Sequence, residues 1–152
     1  MNAMNLNYIP AETRHLETLL GFMRDFYFHE GLTLNAEAAR RALQQLITDE
    51  SKGRVWLIEA DGETVGYTVL TFGFSLEFHG RDAFVDELFI VAAWRGRGIG
   101  RQTLEFLSAA CRTLGIAALH LEVERANTIA QELYRNTGFV DHDRYLMTRW
   151  VN

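Results

Sequence analysis

Glycines and arginines alternate in one short segment of the sequence, in a pattern that could bind an anion. The segment reads Arg95-Gly96-Arg97-Gly98-Ile99-Gly100-Arg101. Glycines between a strand and a helix let backbone N–H groups approach a ligand closely, and the N-terminus of the helix that follows favours negative charge. The G-x-G-x-G spacing fits neither the dinucleotide fingerprint nor the P-loop. On these residues alone, an anion site and a glycine-rich turn with solvated arginines both stay open.

The elements around this segment follow from hydrophobic periodicity, which predicts the order β-α-α-β-β-β-α-β-α-β. The predicted strands cover residues 4–9, 54–60, 64–74, 83–91 and 117–123, with one or two closing strands in residues 139–151. The three central strands form an antiparallel meander, whereas the strand–helix–strand unit of residues 83–123 requires a parallel pair. We therefore expect a mixed α/β (α+β) fold in a single domain over residues 1–152. Its six- to seven-stranded, mostly antiparallel sheet carries helices on both faces.

Two motifs resemble those of the GNAT superfamily of CoA-dependent N-acyltransferases. The glycine segment matches the R-x-x-G-x-G pyrophosphate signature of that family. A second block, with Asn127, Ala130, Leu133-Tyr134 and Gly138-Phe139, looks like its N-x-x-A-x-x-L-Y-x-x-x-G-F pattern. Residues 72–90 show a weaker resemblance to the polyamine and diamine acetyltransferase branch, although the Glu-Asp pair of that branch stands here as Asp86-Glu87. The resemblance implies the family's fold, with acetyl-CoA as cosubstrate and no metal.

The resemblance also implies how this chain would hold acetyl-CoA. The backbone of Phe89, Ile90 and Val91 would pair with the pantetheine arm as an added strand does. The amides of the glycine segment, from Arg95 to Arg101, would hold the pyrophosphate. Asn127 caps a helix or contacts CoA, and Tyr134 lies near the sulfur of the thioester.

Acetyl transfer to an amine needs a base for the ammonium and an acid for the departing thiolate. By resemblance Tyr134 is the acid, since a phenol with a pKa near 10 stays protonated at neutral pH. We prefer Glu87 as the base, with Asp86 and Glu122 as alternatives, because a bulge would make face assignment by strand alternation unreliable. Cys111 lies on an apolar helix stripe. That position favours direct attack in a ternary complex over an acyl-cysteine intermediate.

The acceptor is less sharply defined by the sequence. Aromatic and acidic residues in the regions that build the family's acceptor pockets suit a cationic amine; they are Phe28, Phe74, Glu77, Asp86 and Glu122. We expect a primary amine of a small molecule, of polyamine, amino-acid or aminoglycoside type. The alternatives are a protein lysine or N-terminal amine, a non-catalytic CoA sensor, and a nucleotide- or phosphate-binding module.

Composition narrows the partners further. A formal net charge of −5 argues against a nucleic-acid binder, and the single cysteine favours a reducing compartment. No apolar run has the length of a membrane-spanning helix, and the N-terminus lacks the pattern of a secretion signal. These features predict a cytoplasmic protein without membrane partners. The family resemblance also implies a homodimer.

Overall fold

The computed structural model describes residues 2–152, which contain five strands and four α-helices. The strands are β1 (Leu6–Pro10), β2 (Gly53–Ala60), β3 (Glu63–Ser75), β4 (Gly80–Ile90) and β5 (Ala118–His120). The helices are α1 (Leu16–His29), α2 (Ala36–Thr48), α3 (Ile99–Thr113) and α4 (Thr128–Asn136). Single 3₁₀ turns cover Thr13–His15 and Ala92–Trp94.

Two compact units make up the chain, one ending at Glu122 and the other covering Val123–Asn152. The first holds the whole sheet with α1, α2 and α3, and the second holds α4. The single domain over residues 1–152 stays a prediction. Within the described residues, no helix is both long and apolar enough to cross a membrane.

One mixed sheet organises the first unit, with the strands in the order β1-β2-β3-β4-β5. The first three pairings are antiparallel, and β4 pairs with β5 in parallel, as the strand–helix–strand unit predicts. The parallel ladder is short, because it joins only Asp82, Ala83 and Phe84 to β5. Beyond Phe84, β4 continues for six residues with β3 as its partner. The parallel ladder therefore covers the whole of β5 but only residues 82–84 of β4.

The prediction of six to seven strands is wrong. The sheet has five, β5 ends at His120 instead of Val123, and residues 139–151 form no strand. A strand needs a ladder partner and a face to bury, and sequence alternation supplies neither by itself. Almost all side chains of residues 139–151 are exposed, Trp150 to 84%, so no buried face orders this segment as a strand.

Helices cover both faces of the sheet, as predicted. On one face α1 packs Leu19 and Leu20 against Tyr67 and Val69 of β3. On the other face α3 packs Leu107 and Cys111 against Trp56 and Leu70. The side-chain period of two along β3 sends Tyr67 and Val69 to one face and Leu70 to the other. The face under α1 and α2 is the one that carries the site described next.

Candidate active site

A bulge in β4 sets the position of two adjacent carboxylates. Glu87 lies opposite Val69 of β3, whereas the next residue of β3, Leu70, lies opposite Val85. Asp86 is thus the extra residue that the ladder skips. A bulge shifts the alternation of side chains by one, so neighbouring residues need not point to opposite faces. Asp86 and Glu87 accordingly line the same cleft.

Two tyrosine hydroxyls hold the carboxylate of Glu87. Tyr27 of α1 donates to Oε2 at 2.6 Å, and Tyr67 of β3 donates to Oε1 at 2.9 Å. The hydroxyl of Thr68 donates to the backbone carbonyl of Glu87 at 3.0 Å. Each carboxylate oxygen therefore has a fixed donor, and the side chain is held between a helix and the sheet.

Burial and hydrogen bonding act on this carboxylate in opposite directions. Burial raises the pKa of Glu87 above its ordinary value, the hydrogen bonds from Tyr27 and Tyr67 lower it, and the negative charge of Asp86 raises it. The net direction is upward. Burial together with Glu87 also raises the pKa of Tyr27 and of Tyr67, so both phenols remain donors. A carboxylate with a raised pKa is a stronger proton acceptor, which suits a general base.

A cleft of about 680 Å³ opens beside Glu87, between α1 and α2 on one side and β3 and β4 on the other. Its lining is mostly apolar, with Met23, Leu43 and Val69 among the wall residues. The charged residues in the lining are Arg41, Lys52, Asp86 and Glu87. A cleft of this size, with few polar groups in an apolar wall, is typical of a small-molecule site.

The outer edge of β4 is open beyond Phe84, where the ladder to β5 ends. The amide of Val91 donates to the carbonyl of Val65, near the start of β3, at 2.8 Å, so its N–H is already paired. Backbone groups alternate along a strand, which turns those of Ile90 toward the open edge. There Nε of Arg95 donates to the Ile90 carbonyl at 2.7 Å. Of the three residues expected to pair with a pantetheine arm, Ile90 is thus the one that presents its backbone outward.

The glycine segment joins this edge to the N-terminus of α3. Gly96 (φ 74°) and Gly98 (φ 81°) adopt the left-handed conformation, which residues with a Cβ rarely adopt. Gly98 is the N-cap residue of α3, and the first turn contains no acidic side chain. Ile99 is buried and anchors the turn, while Arg95, Arg97 and Arg101 are exposed. Free N–H groups at a helix N-terminus with arginines around them form a site for an anion.

Known proteins share this architecture. The model of the acetyltransferase (GNAT) family matches residues 16–139. The chain belongs to this family. It is 26% identical over 151 residues to the uncharacterized N-acetyltransferase YycN of Bacillus subtilis strain 168, covering 92% of this chain and 96% of that protein.

Solved structures agree. An integron cassette protein from the mobile metagenome of Cole Harbour Salt Marsh superposes with a TM-score of 0.84 and 34% identity, over 95% of this chain and 90% of the other. The aminoglycoside N-acetyltransferase AAC(6')-Iy, solved with CoA, superposes with a TM-score of 0.80 over 98% and 97%, and its 16% identity shows the fold alone. The resemblance to GNAT enzymes is confirmed, and the protein is an acetyltransferase of this family.

A second cleft of about 460 Å³ lies at the C-terminal ends of α1 and β4. Phe28, predicted to bind the acceptor, lines this cleft together with Phe89, Val91 and Arg95. Its ring is largely exposed, and it does not line the cleft that contains Glu87. Phe28 therefore adjoins the residues expected to hold CoA.

The other predicted acceptor residues do not meet Glu87. Phe74 pairs with Arg81, five residues along β3 from the Val69–Glu87 pair, which corresponds to about 16 Å of strand. Glu77 lies in the turn after β3, and Glu122 is exposed after the end of β5. Neither lines either cleft. Of the predicted acceptor residues, Asp86 is the one that the structure places in the cleft beside Glu87.

The family's second motif begins and shapes α4 in the C-terminal unit. Oδ1 of Asn127 accepts from the amide of Ala130 at 3.1 Å, so Asn127 is the N-cap of the helix. Tyr134 lies on α4, and its ring stands edge-on to Phe139 at 6.1 Å between centroids. Tyr134 and Phe139 are both half-buried within this unit. The N-cap hydrogen bond does not prevent Asn127 from contacting a ligand through its amide nitrogen.

The partners of Glu87 are the functional residues that sequence reasoning missed. No motif singles out Tyr67 or gives Tyr27 a role, because their contact with Glu87 is made across 20 and 60 residues of chain. One signal was available. Tyr67 interrupts an aliphatic strand, and a fully buried tyrosine hydroxyl needs a hydrogen-bond partner.

Proposed function

We propose that this protein transfers the acetyl group of acetyl-CoA to a primary amine of a small molecule, by direct attack in a ternary complex. The observation that carries the proposal is the carboxylate of Glu87. It is held by Tyr27 and Tyr67 at the wall of the 680 Å³ cleft, close along β4 to the open edge at Ile90. An amine in this cleft meets a fixed base, and a strand-like arm at the edge can pair with the outward-facing backbone of Ile90 by displacing Nε of Arg95 from the Ile90 carbonyl.

The proposed reaction moves three protons. The ammonium of the acceptor loses one to Glu87, directly or through a water, and the neutral nitrogen attacks the carbonyl carbon of the thioester. The C–S bond breaks as the C–N bond is completed, and the CoA thiolate takes a proton from Tyr134. The acylated nitrogen then releases its second proton through water to the Tyr134 phenolate, which leaves a neutral amide. The phenol of Tyr134 is proposed for this step because it occupies the tyrosine position of the family's second motif. Burial of Cys111 raises the pKa of its thiol, which argues against a covalent acyl carrier.

Support for acetyl-CoA comes from the glycine segment. The backbone conformations of Gly96 and Gly98 expose amides at the start of α3, and Arg101 adds positive charge. This arrangement suits a diphosphate.

Within the described residues, no three histidine, cysteine or acidic side chains come together as ligands for a metal ion.

Support for a small amine comes from the cleft. Asp86 and Glu87 present negative charge on its wall, and the apolar wall formed by α1 and α2 suits a carbon chain. An alkylammonium matches both features, because its charge pairs with a carboxylate while its methylene groups bury against the wall.

Two measurements test the proposal. Calorimetric titration with acetyl-CoA, ATP and NAD identifies the ligand of the glycine segment, and we expect acetyl-CoA alone to bind. A thiol-release assay over small amines and lysine-containing peptides then identifies the acceptor class, and small amines should be the better substrates. Binding of acetyl-CoA without thiol release on any acceptor would make the protein a sensor, and faster turnover of peptides would make the acceptor a protein.

Glu87→Gln in the same assay tests the base. The variant keeps the shape of the side chain and should bind acetyl-CoA as the wild type does, while its rate falls about 100-fold or more. Glu122→Gln is the matched control, because Glu122 is exposed outside both clefts. Loss of activity in the control instead of in Glu87→Gln would assign the base to Glu122.

A further inference from the structure

The charges in the cleft are divided evenly between the two signs. Asp86 and Glu87 are its acidic lining residues, and Arg41 and Lys52 are its basic ones. Resting on the proposed function, we propose that the acceptor is an amine that carries an anionic group, such as an ω-amino acid. Its ammonium pairs with the two carboxylates, and its carboxylate pairs with Lys52 and Arg41. A polyamine would bring a second positive charge toward these two cations, which disfavours its binding.

The backbone places Lys52 at a distance from Glu87 along the sheet. The carbonyl of Lys52 accepts from the amide of Phe72 at 2.9 Å, so Lys52 lies beside β3 at this position. Glu87 lies opposite Val69, three residues earlier on β3. At the rise of a strand this is about 10 Å along β3, and because Lys52 and Glu87 flank β3 on opposite sides they are also about 10 Å apart across the sheet. The two backbones are thus about 14 Å apart, and because both side chains line the cleft, the gap between their charged groups suits a short carbon chain.

Both cations have surface partners that a ligand can replace. Nζ of Lys52 lies 2.6 Å from Asp49, and Arg41 lies 2.7 Å from Glu37. All four side chains of these pairs are exposed, and exposed ion pairs contribute little to stability. Neither Asp49 nor Glu37 lines the cleft. A carboxylate bound in the cleft can therefore replace Asp49 and Glu37 as the partner of Lys52 and Arg41 at a small cost in free energy.

Lys52 is the only lysine in the sequence, among fourteen arginines. A point charge on a flexible chain can follow ligands of different length, whereas the planar guanidinium of Arg41 favours the two oxygens of a carboxylate. One cation of each type on the same cleft suits recognition of a carboxylate group.

The test compares acceptors with the same reacting amine. We measure kcat/KM of the wild type for 6-aminohexanoate, hexylamine and 1,6-diaminohexane. The expected preference for 6-aminohexanoate over hexylamine is roughly tenfold, the effect of about one hydrogen bond between charged groups. Lys52→Gln should reduce this ratio several-fold. Asp49→Asn should increase it, because the substitution releases Lys52 from its competitor.

Arg54→Gln is the matched control, since it removes one positive charge two residues from Lys52. The guanidinium of Arg54 lies over the ring of Phe72, 5.4 Å from its centroid, and does not line the cleft. The ratio should stay at the wild-type value in this variant. Thermal melting of each variant verifies that it is folded before the ratios are compared.

Equal or faster turnover of hexylamine or 1,6-diaminohexane by the wild type would overturn the inference, while thiol release on those amines would leave the proposed function standing. An equal fall of the ratio in Arg54→Gln and Lys52→Gln would also overturn it, because the effect would then follow net charge. Failure of the proposed function has a different signature, in which acetyl-CoA does not bind or no amine releases thiol.

Discussion

Replacing Tyr27 by phenylalanine should move the acid limb of the pH–rate profile to higher pH. The hydroxyl of Tyr27 donates to Oε2 of Glu87 at 2.6 Å, and this hydrogen bond lowers the pKa of Glu87. Without the donor the ionised carboxylate loses stabilisation, so its pKa rises. Because the base acts in its ionised form, kcat/KM should fall on the acidic side and keep its plateau at higher pH.

The geometry sets the size of this shift. A hydrogen bond to a charged group contributes about 1.5–3 kcal/mol, and one pKa unit corresponds to about 1.4 kcal/mol. Tyr67 still donates to Oε1, and Tyr27 lines the open cleft, where water can replace part of the lost hydrogen bond. We therefore expect the lower end of that range, so the acid limb should move by about one pH unit. At pH values below the limb, kcat/KM of Tyr27→Phe should be about tenfold lower than that of the wild type.

The assay is thiol release with the best amine acceptor, at saturating acetyl-CoA, across the acid limb. Tyr8→Phe is the matched control, because its hydroxyl pairs with Thr103 at 3.2 Å on the other face of the sheet. The control should keep the wild-type profile. An unmoved limb in Tyr27→Phe, or a limb moved to lower pH, would refute the assignment of Glu87 as a base tuned by tyrosine donors.

Three further predictions concern the acid, the cofactor loop and the stability of the site. Tyr134→Phe should lower kcat about 100-fold with little change in acetyl-CoA affinity by calorimetry, and an unchanged kcat would remove Tyr134 from the reaction. Gly98→Ala should cost about 1–2 kcal/mol of folding free energy in denaturant titration and weaken acetyl-CoA binding, because φ is 81° at this residue. Gly115→Ala (φ 69°, after the end of α3) should cost the same stability with unchanged affinity, and equal affinities in both variants would contradict the anion site. Glu87→Gln should raise the melting temperature at pH 7. The raised pKa of Glu87 means that its stabilising contribution is present at low pH and lost as pH rises through the folded-state pKa, so the gain should disappear below the ordinary glutamate pKa.

Local patterns determined the elements of the fold. Periodicity predicts α1 through Leu19, Leu20 and Met23, and all three are buried. Asn35 begins α2 because its side chain accepts from the amide of Ala38. The meander and the parallel β4–β5 pair followed from element order, since a strand–helix–strand unit leaves a parallel pairing as the available geometry.

The same patterns failed where an element depends on a distant partner. Residues 139–151 have the composition of a strand, but a strand exists only as part of a ladder, and the sequence does not state which edge is free. The backbone conformation of the glycine segment was predictable for the opposite reason. It depends on glycines that can adopt positive φ beside a helix start, and Gly96 and Gly98 carry that information within three residues.

The amino-acid sequence by itself determined the family, through two motifs of closely spaced residues. It also placed a carboxylate pair on the strand before the glycine segment. The tertiary structure decided which carboxylate is held and what surrounds it. Glu87 meets Tyr27 and Tyr67 because a bulge turns it toward the face that α1 covers, and those hydrogen bonds join positions far apart in the chain. Lys52 likewise lines the same cleft as Glu87 because α2 and β3 pack together. Side-chain proximity across elements is set by the folded core and not by spacing along the chain.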